Sequence, residues 1–179
     1  MANNVSGAFV TKTAGVGKLG GANPTQIRTG LKSVVSMVFT LLGSVAPGLG
    51  TSTFSFVQDG AKAITGITQA APGVVTSNGH GFLNDELVFI TGVLGMVQVN
   101  TRHFKVAGVT TNTFTLVDPV NGSPINTTSF GAYTSGGVVD RVVNDVVNVY
   151  GWMPTGAGNP TLIASTGVEQ FSWVAYGNA

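Results

Sequence analysis

The sequence predicts an all-β protein: a β-sandwich built from the N- and C-terminal segments, an inserted small β-barrel-like module, and an extended N-terminal arm. Three observations lead to this prediction. Only 8% of the 179 residues are charged, and 26 are glycine. Short runs rich in valine, threonine and phenylalanine alternate with Gly-, Asn- and Pro-containing turns, which is typical of strands. No segment between residues 63 and 140 sustains the spacing of an amphipathic helix.

Residues 1–30 are interpreted as the extended arm. They carry Lys12, Lys18 and Arg28 without any acid, and Lys32 follows directly. A nucleic-acid contact, a contact with an acidic protein surface and a solvated tail are the alternatives. Four dispersed cations without interleaved aromatic residues fall short of a nucleic-acid footprint. We therefore expect no nucleic-acid partner, and favour a strap that lies on a neighbouring subunit.

Residues 31–62 and 141–179 are predicted to form the split sandwich. The segment Leu31–Leu42 fits either a helical stripe or a strand, and its valine and threonine content favours a strand. In the segment 170–177, Phe171, Trp173 and Ala175 fall on one face of a strand, because successive side chains alternate. Each part alone has too few strands for a stable sandwich, so we expect the two to combine.

Residues 63–140 are predicted to form the inserted module. Short β-type runs follow one another closely there, separated by turn signals such as Asn78–Gly79 and Asn121–Gly122. Insertion at exposed turns is tolerated because the ends of a small domain usually lie close together.

Composition also indicates how the protein meets its surroundings. A net charge of +1 and a mean hydropathy of +0.35 give little of the repulsion that keeps monomers apart, so we expect other subunits to cover much of the surface. The chain has no cysteine, which excludes disulfides and thiolate metal sites. The longest apolar stretch, residues 34–45, is too short for a bilayer, so we expect no membrane contact. The first 30 residues lack the apolar core of a signal peptide, and synthesis in a cytoplasm is expected.

The middle segment has a recognisable motif pattern. It contains His80-Gly81-Phe82, Asp85, Gly92 with Gly95-Met96, Asn100, Phe104 and Asn112 with Phe114. This pattern resembles a module of bacteriophage tail and virion proteins that is related to the first catalytic-cysteine half-domain of ubiquitin-activating enzymes. The sequence departs from the usual pattern at the turn Asn84–Asp85. The resemblance implies a β-barrel-like binding or spacer module, and no ubiquitin chemistry follows, because the chain lacks cysteine.

The flanking segments, with aromatic-rich strands near 146–152 and 170–177, are similar to small β-sandwich proteins that decorate or cement phage capsids. This resemblance implies a virion structural protein on the capsid surface. Its partners would be the major capsid protein and further copies of the chain, as a dimer or trimer. A tail adaptor, tube or fibre-base protein and an adhesin for a host-surface glycan are the alternatives.

Two motifs suggest other chemistry. Gly15-Val16-Gly17-Lys18-Leu19-Gly20 satisfies the dinucleotide pattern G-x-G-x-x-G, but a helix-breaking segment follows and no acid occurs before Asp59. His80 could act as a general base beside Asp85 or Glu86 and near Ser77. Because catalysis needs an oriented partner and the motif accounts for the histidine as part of a turn, a structural role is favoured. We expect no enzymatic activity and no cofactor.

Metal and glycan sites are weighed in the same way. His80 and His103 with Asp85 and Glu86 lack metal-ligand spacing, so we expect no metal. The C-terminal aromatic residues could form an exposed platform for a sugar, but a core or interface role is favoured. The predicted interface residues are Lys12, Lys18, Arg28, Lys32, Trp152, Trp173 and Tyr176.

Overall fold

A computed structural model describes residues 11–19, 24–42, 53–154, 162–164 and 170–178. Within these ranges the all-β prediction is confirmed, since they contain strands, one 3-10 turn at Val97–Val99 and no α-helix. The strands are β1 (Thr11–Lys18), β2 (Thr25–Arg28), β3 (Ser33–Leu42), β4 (Thr53–Gln58), β5 (Lys62–Ala63), β6 (Gly66–Ile67), β7 (Val74–Thr76), β8 (Leu87–Leu94), β9 (Arg102–Ala107), β10 (Thr113–Val117), β11 (Ser135–Arg141), β12 (Val146–Pro154), β13 (Leu162–Ala164) and β14 (Gln170–Asn178).

The chain forms two compact units. Unit 1 comprises residues 1–59 and 144–179, and unit 2 comprises residues 60–143. The sequence-based limits were 31–62 with 141–179 for the sandwich and 63–140 for the module. The two units differ from these predicted limits mainly because unit 1 includes residues 1–30.

Unit 1 is a sandwich of two antiparallel sheets. One sheet has the order β1-β14-β3, and in the other β12 pairs with β4 along one edge and with β2 and β13 along the other. Apolar side chains from both sheets share one core, which includes Val147, Val149, Phe171, Trp173 and Ala175. The alternation predicted for β14 is confirmed, because Phe171, Trp173 and Ala175 are buried while Ser172, Val174 and Tyr176 are not.

The prediction that residues 1–30 form an arm outside the sandwich is wrong for the described part of that segment. All eight residues of β1 pair with β14, from Thr11 opposite Gly177 to Lys18 opposite Gln170. Strand β2 pairs with β12, with Arg28 opposite Val146. Strand β1 has glycine at two inward positions and gives little apolar periodicity, so only its pairing with a distant strand shows that it belongs to a sheet.

The glycines of the G-x-G motif have a packing role. Gly15 and Gly17 lie on the inward face of β1, over the rings of Trp173 and Phe171. A Cβ atom on Gly15 would lie 2.6 Å from the Trp173 ring, and one on Gly17 would lie 2.5 Å from the Phe171 ring. Because real Cβ atoms do not approach rings so closely, only glycine lets the backbone of β1 cover these side chains. The first four residues of the motif, 15–18, therefore lie in strand β1, while its last residue, Gly20, lies outside the described residues.

Unit 2 is built on one seven-stranded antiparallel sheet of order β5-β11-β8-β9-β10-β7-β6. Its two end strands are neighbours in sequence, since β5 ends at Ala63 and β6 begins at Gly66. The sheet must therefore curl until its edges approach each other, which gives a half-barrel. Its interior is a separate apolar core that includes Phe82, Val88, Met96, Phe104 and Phe114.

Candidate functional site

The His80 loop is a packed corner of unit 2. His80 is fully buried, and its ring stacks on Phe82 at 4.9 Å and meets Phe114 edge-on at 5.1 Å between centroids. The Nδ1 atom accepts a hydrogen bond of 3.0 Å from the backbone N–H of Phe82. This bond assigns Nδ1 as an acceptor, so the neutral ring carries its proton on Nε2.

Arg141 fixes this loop from the neighbouring strand β11. Its guanidinium donates to the carbonyl oxygen of Gly81 at 2.6 Å and to that of His80 at 3.4 Å. It also pairs with the Glu86 carboxylate at 3.1 Å and lies 4.7 Å from the centre of the Phe82 ring. One cation therefore holds the start, the aromatic centre and the end of the loop together. Sequence reasoning missed Arg141, since it lies 55 residues from Glu86 and outside the motif.

The geometry does not form a catalytic dyad at His80. Buried Ser77 Oγ and His80 Nε2 have no hydrogen-bond partner among the described residues, so they do not bond to each other. Asp85 is a turn residue in the left-handed region (φ 68°), and Glu86 is paired with Arg141. The described residues also hold no cluster of three His, Asp or Glu side chains suited to a metal ion.

The other motif residues of unit 2 shape its turns and core. Asn100 bonds both the N–H and the C=O of Val93, at 2.8 and 2.7 Å. Asn112 accepts from the N–H of Gly79 through its side chain and from that of Ser77 through its backbone. Gly81, Gly92 and Gly95 have positive φ, a conformation that favours glycine. The remaining motif residues, Phe82, Met96, Phe104 and Phe114, are buried.

The buried His80 predicts that unit 2 loses stability in acid. Burial lowers the pKa of His80 from its ordinary 6.5, and nearby Arg141 lowers it further, against the opposing effects of the Thr113 and Thr110 carbonyls and Glu86. Below pH 6.5 the unfolded chain therefore takes up a proton that the folded unit resists, so stability falls until the folded pKa is reached. Hydrogen exchange of the β8 and β9 amides should report weaker protection at pH 5.5 than at pH 7.5, after correction for intrinsic exchange rates.

Two histidine variants separate this effect from general acid sensitivity. His80→Gln, which can keep an acceptor for the Phe82 N–H, should remove most of the pH dependence. His103→Gln should retain it, because His103 is exposed on β9. If amide protection in His80→Gln depends on pH as strongly as in the wild-type chain, His80 is not the group that destabilises unit 2 in acid.

The solvent side of the β1-β14-β3 sheet, here called the outer face, exposes several apolar side chains of unit 1. It consists of Lys12, Ala14, Val16 and Lys18 from β1, Ser172, Val174 and Tyr176 from β14, and Ser36, Val38, Thr40 and Leu42 from β3. Val16 is 68% exposed and Val38 55%. The only charges on this face are Lys12 and Lys18, at the two ends of β1. An apolar surface edged by cations suits a partner surface that is apolar at its centre and carries carboxylates.

The predicted interface residues do not all reach a common surface. Lys12, Lys18 and Tyr176 lie on the outer face. Lys32 is exposed just before β3, and Arg28 forms an ion pair of 2.9 Å with Asp145 of the same unit. Trp173 is only 7% exposed, so its interface assignment is wrong: alternation along β14 turns it into the core beneath Gly15.

Trp152 lies on the solvent side of the other sheet. It stacks with Tyr150, two residues earlier on β12, at 6.1 Å between centroids and an angle of 16°. Its Nε1–H donates to Ser55 Oγ at 2.8 Å. Both rings are half-buried. The two side chains thus form a small aromatic platform, which is the kind of surface on which a sugar ring stacks.

These features define a class of protein: two all-β units, one with an apolar sheet face that carries lysines but no acid and one with a packed loop at its signature histidine. Within the described ranges, no helix has the length and apolar character needed to span a bilayer.

Comparison with known proteins identifies unit 2 more closely. Residues 70–143 match the family model of the ubiquitin-activating enzyme E1 FCCH domain, which is a non-catalytic domain of that enzyme family. The match confirms the predicted resemblance of the module to the ubiquitin-activating-enzyme half-domain, and it covers less than half of the chain. A 40-residue segment is also 48% identical to a protein of Lymnaea stagnalis called "Glutamate receptor", and it makes up 22% of this chain and 4% of that protein.

Proposed function

We propose that the protein is a non-enzymatic structural component of a bacteriophage particle, most specifically a head decoration or cement protein that bridges neighbouring capsid subunits. The observation that carries the proposal is the outer face of unit 1. Two of its valines, Val16 and Val38, are 68% and 55% exposed, and no acidic residue interrupts this face. Large exposed apolar patches commonly mark binding surfaces.

The two units have separate tasks in this proposal. Unit 1 attaches to the major capsid protein and to copies of itself, and many identical contacts on one particle add up by avidity. Unit 2 projects from the capsid surface as a spacer or contact module. Its similarity to a non-catalytic domain supports that role, as does a loop whose polar groups serve packing. The chain is made in the host cytoplasm and works on the virion.

Charge reversal on the outer face tests the attachment. The double variant Lys12→Glu with Lys18→Glu should weaken binding to particles by about tenfold or more, because attraction to carboxylates becomes repulsion. Occupancy is measured by co-sedimentation of the purified variant with particles that lack the chain. The matched control, Lys62→Glu with Lys105→Glu, changes the net charge equally but lies in unit 2. Equal occupancy for the two folded double variants would refute attachment through this face.

Copy number separates the capsid from the tail. A particle reconstruction should locate this chain in numbers that match the major capsid protein. Copies limited to a ring at the tail would instead favour an adaptor, tube or fibre-base protein.

Glycan binding is the second candidate, and the Tyr150–Trp152 platform is the observation that favours it. On the decoration proposal, a glycan array should give no specific signal. A signal lost in Trp152→Ala but kept in Tyr176→Ala would favour the adhesin, because Tyr176 lies on the other sheet. Trp173→Ala is not a useful probe, since removing a buried ring would destabilise the sandwich.

A further inference from the structure

The two edges of the β1-β14-β3 sheet differ in charge. The edge strand β1 carries Lys12 and Lys18, while the other edge strand, β3, has ten residues, Ser33–Leu42, without a single charge or proline. Natural proteins usually protect an exposed edge strand with lysine, proline or a bulge, since unpaired backbone groups attract further strands. The only irregularity in β3 lies near its start, opposite Tyr176 and Gly177.

The free edge of β3 is protected at its beginning only. There the Gln58 side chain accepts from the N–H of Val34 at 3.4 Å and donates to the carbonyl oxygen of Lys32 at 3.0 Å. From residue 35 to 42, no other described residue pairs with this edge, because β3 pairs with β14 alone. A run of eight residues is long enough for an additional strand.

An apolar depression lies beside this edge, between β3 and β4. It is lined by Met37, Val38, Phe39, Leu41, Thr53 and Phe54. Phe39 and Phe54 stack there at 5.6 Å between centroids, and both remain half-buried. A strand added to β3 would cover this opening with its own side chains and would extend the core.

We propose that β3 pairs antiparallel with β3 of a second copy about a twofold axis, which joins two three-stranded sheets into one six-stranded sheet. In such an isologous contact each strand faces itself. Like charges directly opposite each other are destabilising, and β3 has none, whereas β1 would bring its lysines against the lysines of the other copy. Val35 is 74% exposed and Leu42 39%, and the paired strands would shield both.

This pairing extends the proposed structural role, which requires contacts between copies, but it can be tested without particles. The natural chain has no cysteine, so single substitutions report proximity cleanly. The variants Ser36→Cys, Val38→Cys, Thr40→Cys and Leu42→Cys place thiols along the solvent side of β3. A disulfide forms only when the two Cα atoms lie within roughly 7 Å of each other. A cysteine at the twofold axis meets this condition. A cysteine two residues away from the axis lies roughly 13 Å, measured along the strands, from its counterpart in the other copy.

We expect the yield of disulfide-linked dimer to be highest for one of these four variants, or for a mixture of two neighbouring ones. The variants on either side of that position should give less dimer. Val16→Cys, on β1 of the same face, is the matched control and should give little dimer. By sedimentation, the wild-type chain should form dimers. Thr40→Lys should raise the dissociation constant by more than tenfold, and Ala14→Lys should not.

Three results would overturn the self-pairing: a wild-type chain that stays monomeric, oxidation strongest in Val16→Cys, or an unchanged dimer in folded Thr40→Lys. If the chain is monomeric and Thr40→Lys loses particle occupancy, the loss reports the outer face, to which Thr40 also belongs, and self-pairing is still refuted. If the copies do not pair but the chain still binds particles in a way that depends on Lys12 and Lys18, the proposed attachment of unit 1 to the capsid stands.

Discussion

Replacing Arg141 by methionine is expected to lower the free energy of unfolding of unit 2 by about 3 kcal/mol, the size typical of breaking a buried ion pair from one side. The Arg141 side chain is 2% exposed and that of Glu86 16%. Methionine fills a similar volume but leaves the Glu86 carboxylate and the Gly81 carbonyl without their donor. The cost therefore comes mainly from a half-buried carboxylate and from backbone carbonyls that lose this donor.

Hydrogen exchange separates this effect from a change in unit 1. Protection of β8 and β9 amides should fall in Arg141→Met, while tryptophan fluorescence should not change, because both tryptophans, Trp152 and Trp173, lie in unit 1. Arg102→Met is the matched control, since Arg102 is exposed on β9. Arg141→Lys should recover little, because a single ammonium cannot reproduce the planar fork of donors. Protection in Arg141→Met equal to that of the control would show that the clamp does not hold the loop.

The second large effect is expected in unit 1, where Gly17→Ala should lower the free energy of unfolding by roughly 1–3 kcal/mol through overpacking. The added methyl would meet the Phe171 ring, which is fully buried and in contact with Phe39 and Phe54. A ring so enclosed cannot move aside without displacing its neighbours. Gly15→Ala should have a similar effect through Trp173, and the two effects should not be additive, because the positions share one strand.

Thermal unfolding followed by tryptophan fluorescence measures this change. Gly60→Ala is the control, because a Cβ atom there would meet nothing within 4 Å and Gly60 belongs to unit 2, so the unfolding of unit 1 should not change. If Gly17→Ala is as stable as Gly60→Ala, β1 does not lie over the aromatic rings as described.

Local pattern predicted much of the fold. In β14, alternation placed Phe171, Trp173 and Ala175 on one face, because strand geometry turns successive side chains to opposite faces. In unit 2, the spacing of His80-Gly81-Phe82, Asn100 and Asn112 identified a module whose turns and core those residues form. These features depend on residues close together in the chain, so a single sequence contains them.

Other features depend on residues that are distant in sequence. Strand β1 has too few apolar residues to indicate a buried face, and its glycines have a purpose only once Phe171 and Trp173 lie beneath them. Arg141 gives no signal in its own segment, since its partners Gly81 and Glu86 belong to another strand and loop. The buried state of His80 is likewise decided by its contacts with Phe114 and Arg141, which are distant from it in sequence.

The sequence alone thus determined the all-β class and the alternation along β14, because these follow from composition and from periodicity along the backbone. Only the tertiary structure decided which uncharged strand lies at a sheet edge of the described residues, which glycines cover aromatic rings and which cation fixes the His80 loop. Each of these depends on a pairing between segments far apart in the chain, and the chemistry of either segment alone is compatible with many partners.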